Sequence, residues 1–172
     1  MIKKSKIIRQ LEKDHQYLRK IINKLTEEQI TEVKIIDNWT LKDIIAHLSA
    51  WAWETIDEID RVIKDKASWQ KKYETNSQED KFNRVAVEKR KSYAMDRILR
   101  EWEESYQIIK NKVASLTDKE WLHQSINHYW TFGRLAKTPV TVFSLFDYEY
   151  EEKSLEASHT VQIKKLFNIK VD

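Results

Sequence analysis

The chain has 172 residues, 31 basic against 28 acidic side chains for a formal net charge of +3, 41% apolar residues, one Gly, one Pro and no Cys. That composition excludes Gly-rich nucleotide loops, disulfide frameworks, thiolate nucleophiles and zinc–thiolate sites, because each needs residues the chain lacks. The basic and acidic residues interleave and no segment approaches the roughly 18 apolar residues of a membrane span, so a cytoplasmic protein with no nucleic-acid and no membrane partner is expected.

A chain this poor in Gly and Pro runs as helices joined by short polar links, and its length suits a single domain over residues 1–172. The first helix is expected from about Lys4 to Leu25, where Ile7, Ile8, Leu11, His15, Leu18, Ile22 and Leu25 form one stripe. Thr26 to Gln29 reads as a capping box. Thr40, with Asp43 three residues on, starts a second long helix reaching about Lys66. Ser77 to Asp80 resembles a further cap before a helical stretch to about residue 91. A third long helix is expected from Tyr93 to Leu116, and Thr117 to Glu120 is another capping box. Residues 123–138 read as irregular. Thr138 and Pro139, as N-cap and first helical residue, predict a last helix running to about Leu166. The prediction is an all-α four-helix bundle with short extra helices in its connections.

Function in such a chain lives between helices. His47 lies between Ile44 and Leu48 and one turn before Trp51, so it points at or beside the bundle interior. It reads either as a buried imidazole satisfied by one hydrogen bond or as a functional group. On the last helix, Leu145, Glu149, Glu152, Glu156, His159, Ile163 and Leu166 are expected to share one stripe. Carboxylates on an apolar face are costly unless protonated, solvated or coordinated, and a divalent cation shared with His47 resolves that cost. Glu156 and His159 have the Glu-x-x-His spacing of carboxylate–metal bundles; a wide solvated face is the other reading. Trp130 and Arg134, beside Tyr129 and Phe132, form either a lid over a pocket or a loop pinned down by its aromatics.

The segment Trp39-Thr40-Leu41-Lys42-Asp43-Ile44-Ile45-Ala46-His47-Leu48-Ser49-Ala50-Trp51 resembles the W-[ST]-x-x-D-x-x-x-H-L-x-x-W pattern of the DinB/YfiT-like four-helix bundles, nearest to the ClbS/DfsB group. Lys81 to Arg90, with Phe82-Asn83, is similar to that family's "FN" stretch, and His159-Thr160-Val161-Gln162-Ile163 looks like its "H-x-x-Q-I" signature. The resemblance implies a DinB/YfiT-like bundle, often dimeric. It also implies a divalent metal such as Zn, Ni or Fe held by three His, with His47 and His159 at two of the positions. Leu155 stands at the third, so Glu152 or Glu156 takes that role or the site works without metal. ClbS-like members act as metal-independent hydrolases or self-protection proteins on reactive small molecules, and other relatives are metal-dependent thiol transferases or isomerases.

The resulting expectation is a small-molecule transferase or hydrolase, working with or without a divalent metal and serving stress or toxin protection, with its pocket between the second and last long helices. The metal residues expected are His47, His159, Glu156 and Glu152, and the pocket residues Trp51, Trp130, Arg134 and Glu149. The alternative is a metal-free binding or sequestration protein. A homodimer is a further expectation of the resemblance.

Overall fold

The computed structural model describes residues 4–66, 75–130, 135–146 and 155–170. Its α-helices are α1 Lys4–Ile22, α2 Glu27–Thr31, α3 Leu41–Ile63, α4 Asn76–Arg90, α5 Met95–Ser115, α6 Asp118–Trp121 and α7 Leu155–Phe167, and residues 142–146 are also helical. Among the described residues there is no strand, only the bridges Ile36–Trp39 and Tyr129–Pro139. The all-α bundle is as expected: α3 packs on α5, α4 and α7, and α1 on α5 and α7.

One local device starts four of these helices. Thr26, Thr40, Thr75 and Thr117 each accept a backbone N–H three residues on, and Gln29, Asp43, Gln78 and Glu120 return the bond to the cap. Each such cap contributes about 1 kcal/mol. Helix α4 is capped by Thr75, two residues before the expected Ser77, because Gln78 completes the reciprocal pair.

The core divides into two apolar clusters along the bundle. One gathers Ile7, Ile59, Ile109, Val113, Trp121 and Trp130; the other gathers Leu18, Ile44, Ile45, Ile98, Trp102 and Ile163. Between them, at residues 14–15 of α1, 49–51 of α3 and 105–106 of α5, the stripes turn polar: Asp14, His15, Ser49 and Ser105 are all buried. This level positions the site.

Three expectations are corrected. Thr138 and Pro139 do not start a helix. Pro139 pairs with Tyr129 in an antiparallel bridge, with Trp130 N–H donating to Thr138 O and Val140 N–H to His128 O. A residue preceding Pro is held extended, and a bridge tolerates the missing donor. The following helical segment is opened instead by Thr141, whose Oγ1 accepts from Ser144 N–H while Ser144 Oγ accepts from Thr141 N–H. Leu166 is exposed, at 48% of its surface, whereas Ile163 is fully buried and Phe167 packs on the core, so the α7 stripe steps by four at its end. Helices α1 and α3 stop at Ile22 and Ile63, three residues short of expectation.

The scarcity of Gly shows at the helix ends. Asp65 and Asn168 follow α3 and α7 at φ of 51° and 50°. Lys66 N–H reaches back to Arg61 O, and Ile169 N–H to Lys164 O, the Schellman pattern that Gly ordinarily terminates. Asn168→Gly is expected to raise the melting temperature, gaining up to about 1 kcal/mol from relieved left-handed strain. Asp65→Gly is expected to lower it despite the same φ. The Asp65 carboxylate accepts from Ile126 N–H at 2.9 Å and lies 3.1 Å from His123 Nε2, tying residues 123–127 to the end of α3. Thermal unfolding of both variants checks this; stabilisation by Asp65→Gly would overturn the tether.

Candidate functional site

His47 and His159 meet. Their ring centres are 5.6 Å apart and nearly perpendicular, at 85°. His47 is buried on α3, with the ring of Trp39 at 5.1 Å and that of Trp51 at 6.5 Å. Its pKa is lowered from 6.5 to about 4 by burial and by the charge of His159, against a hydrogen bond with Asn83 that raises it. His159, half-buried on α7, is lowered too, by burial, against a hydrogen bond with Gln162. Both imidazoles are therefore neutral at pH 7.

Two neighbours fix the rings. His159 Nδ1–H donates to Gln162 Oε1 at 3.0 Å, one helical turn away. Asn83 on α4 accepts from Trp51 Nε1–H at 2.8 Å and also hydrogen-bonds His47, while Phe82 packs edge-on against Trp51 at 4.8 Å. What remains is His47 Nδ1 and His159 Nε2, two buried nitrogens without a hydrogen-bond partner. Orienting one imidazole nitrogen so that the other stays a bare acceptor is how proteins prepare a ligand or base.

Glu156 belongs to a different group. Its Oε1 accepts from Trp102 Nε1–H at 2.8 Å and lies 3.5 Å from His15 Nδ1. His15 is itself stacked on Tyr106 at 3.8 Å and tilted against Trp102 at 3.9 Å, with Glu103 Oε2 3.1 Å from its Nε2. Burial of Glu103 opposes ionisation, yet hydrogen bonds from His15 and Gln107 and the charges of His15 and Arg19 outweigh it, so its pKa is lowered. Beside this group lies a cavity of about 80 Å3 whose walls include Asp14, Trp51, Trp102, Tyr106, Phe146 and Glu156.

The expected residues thus separate. His47 and His159 converge and Trp51 links them to the cavity. Glu156 turns to His15 and Trp102. Trp130 lies in the core beside Trp121 and donates to Ser144 Oγ at 2.9 Å, so of its two readings the loop pinned down by its aromatics fits and the lid does not. A Trp whose N–H finds a buried hydroxyl fourteen residues onward is more stable buried than poised over solvent. Glu149, Glu152 and Arg134 lie outside the described residues. Among the described residues no three His, Asp or Glu side chains form a group able to hold a metal.

The sequence reading left Asn83, Gln162, Trp39 and the His15 cluster without roles. The signal for the first two stood in the quoted "FN" and "H-x-x-Q-I" blocks. His15 gave none beyond its place in an apolar stripe, since its partners come from α5 and α7.

No curated protein matches the chain in sequence. A protein from Streptococcus pneumoniae shares the fold at a TM-score of 0.75, with 12% identity over 99% of this chain and 93% of that one. The colibactin self-resistance protein ClbS, solved in complex with a dsDNA, superposes at 0.73, with 13% identity over 98% of this chain and 97% of its own. An uncharacterised protein from Escherichia coli UTI89 gives 0.72 and 15%, over 98% and 96% of the two chains. Among the described residues no helix is long and apolar enough to cross a membrane. The DinB superfamily model matches residues 10–143, most of the sequence, and the chain belongs to the DinB superfamily.

Proposed function

We propose that this chain is a protection protein that processes a reactive small molecule, as a transferase or hydrolase, in the pocket beside His47 and His159. The observation that carries this reading is the pair of unpartnered, neutral imidazole nitrogens from α3 and α7, with Trp51, 6.5 Å from His47, also forming part of the wall of an aromatic cavity that neither imidazole lines. A neutral imidazole buried beside a ligand can take a proton from water or a thiol as it attacks. The self-resistance role of ClbS, which has the same fold, supports protection as the context.

The pair also fits part of a metal site. Two imidazoles sharing one ion at about 2 Å place their ring centres about 5–6 Å apart, and these stand at 5.6 Å. His47 Nδ1 and His159 Nε2 would be the ligands. Glu156, bound to Trp102, is committed elsewhere, which leaves Glu152 as the expected third ligand. A divalent ion held there would polarise a substrate atom or lower the pKa of bound water or thiol. The metal-free reading, sequestration of a small molecule, is supported by Leu155 at the family's third ligand position and by the aromatic walls of the cavity.

Incubation with an epoxide, with and without a low-molecular-weight thiol, separates these readings. Diol or thioether forming over many turnovers is expected, with His47→Ala and His159→Ala each slowing it about 100-fold or more. Epoxide retained stoichiometrically without product supports sequestration; neither outcome would sink both. Zinc or nickel retained through dialysis by the wild type and lost from either variant supports the metal arm. The interleaved charges argue against DNA as this chain's ligand, and titration with a labelled duplex, expected to show no saturable binding, checks that.

The buried pair also sets a pH dependence. Between pH 6.5 and about 4 the unfolded chain takes up a proton at His47 that the folded chain does not. Stability is therefore expected to fall as pH drops through that window, by about 3 kcal/mol from this group, with His159 acting in the same direction. Denaturant unfolding of His47→Asn should show a flatter slope over the same range. A slope equal to that of the wild type would overturn the buried neutral assignment.

A further inference from the structure

Neutral His47 carries one ring proton, and its two nitrogens offer unlike places for it. Nδ1 is buried without a hydrogen-bond partner, so the nitrogen that meets Asn83 is Nε2. A proton on Nδ1 would strand a buried donor, which folded proteins rarely tolerate, whereas a proton on Nε2 needs only an acceptor on Asn83.

Whether Asn83 offers an acceptor depends on which way its amide is turned. The oxygen and nitrogen ends of an amide have nearly the same shape, and the surrounding hydrogen bonds decide between them. Trp51 makes that decision. An indole Nε1–H donates and never accepts, and it lies 2.8 Å from Asn83 Oδ1. Turning the amide over would set two donors face to face. The oxygen has a second lone pair to offer His47. The bond between Asn83 and His47 favours the protonated ring, as an acceptor does and a donor does not.

Trp51 stands four residues after His47 on α3, and the two rings are 6.5 Å apart. The path therefore leaves α3 at Trp51, crosses to Asn83 on α4 and returns to α3 one turn earlier.

We propose that Trp51 is a positioning residue whose indole N–H, acting through the Asn83 amide, holds His47 as the Nε2–H tautomer and keeps Nδ1 as the bare nitrogen. The chemical consequence rests on the proposed function, in which that nitrogen takes a proton. The tautomer itself is read without turnover.

Long-range proton–nitrogen correlation spectra of the isotope-labelled protein at neutral pH show which ring nitrogen holds the proton. Contacts to the ring protons of Trp39 and Trp51 identify the His47 signals. In the wild type the Nε2–H form is expected to predominate about tenfold, the ratio that one net hydrogen bond sets. Trp51→Phe removes the donor and keeps an aromatic ring; Asn83→Leu removes the acceptor and keeps the size. Each, with helix content checked by circular dichroism, is expected to bring the two forms to comparable populations. Phe82→Leu trims an apolar contact on the same Trp51 ring and should leave the wild-type ratio. Nδ1–H as the main form in the wild type overturns the proposal, and that result needs no variant to fold. A wild-type ratio persisting in both Trp51→Phe and Asn83→Leu overturns it as well. Epoxide turnover by a protein in the Nδ1–H form would leave the proposed activity standing without this device. The Nε2–H form without turnover would keep the device and remove the activity.

Discussion

The polar level at mid-height of the bundle is the constraint on which the rest of the structure depends. Above and below it the helices are held by apolar contact, which is non-directional and tolerates sliding. At this level each buried polar group must find a partner, within its own helix as Asp14, Ser49 and Ser105 do or on another helix, or its desolvation counts against the fold. Trp51 on α3 reaches Asn83 on α4; Trp102 on α5 reaches Glu156 on α7; His15 on α1 lies against Glu103 on α5. These contacts cross the bundle in different directions, so together they fix the relative height of five helices. A one-turn slip of any helix would strand at least one buried donor or charge.

That arrangement explains which parts of the structure were legible in the sequence. Helix starts were readable because a capping box is a local bond, spelled within four residues, and Thr26, Thr40 and Thr117 all behave so. The meeting of His47 and His159 was readable because each sits on its helix at a position facing inward, and two inward faces of one bundle converge. The fate of Glu156 was not readable. Its spacing to His159 is the same whether it turns to a metal or to an indole, and the indole comes from α5, over fifty residues away. Thr138-Pro139 misled for a related reason: the pair is a good helix start locally, but the bridge to Tyr129 supplies a non-local use for the same extended backbone. Trp130 needed a buried hydroxyl partner that only the fold could bring to it.

The family blocks quoted from the sequence acquire a physical meaning here. In the "FN" pair, Phe82 packs on Trp51 and Asn83 receives its indole N–H. In the "H-x-x-Q" spacing, Gln162 Oε1 accepts a hydrogen bond from His159 Nδ1–H across one turn. Each block thus holds a side chain that orients a neighbour at the candidate site. Solved structures of 12–15% identity keep the same fold, a degree of divergence at which fold and chemistry separate, so residues such as these, and not the bundle, must decide what a given member does.

The same polar level keeps two incompatible environments apart. Neutral imidazoles need low dielectric and no nearby carboxylate, since an adjacent anion would favour their charged forms. Yet Glu156 stands three residues before His159 on one helix, the spacing at which side chains meet. The Trp102 indole resolves the conflict by drawing the Glu156 carboxylate toward α5 and His15. His159 is left to Gln162, a neutral acceptor that fixes its tautomer without supplying a charge. Trp51 then stands between the two, 6.5 Å from His47 and in the cavity wall. The division of α7 into an acid-bearing side facing the cavity and an imidazole facing α3 follows from one hydrogen bond to an indole nitrogen.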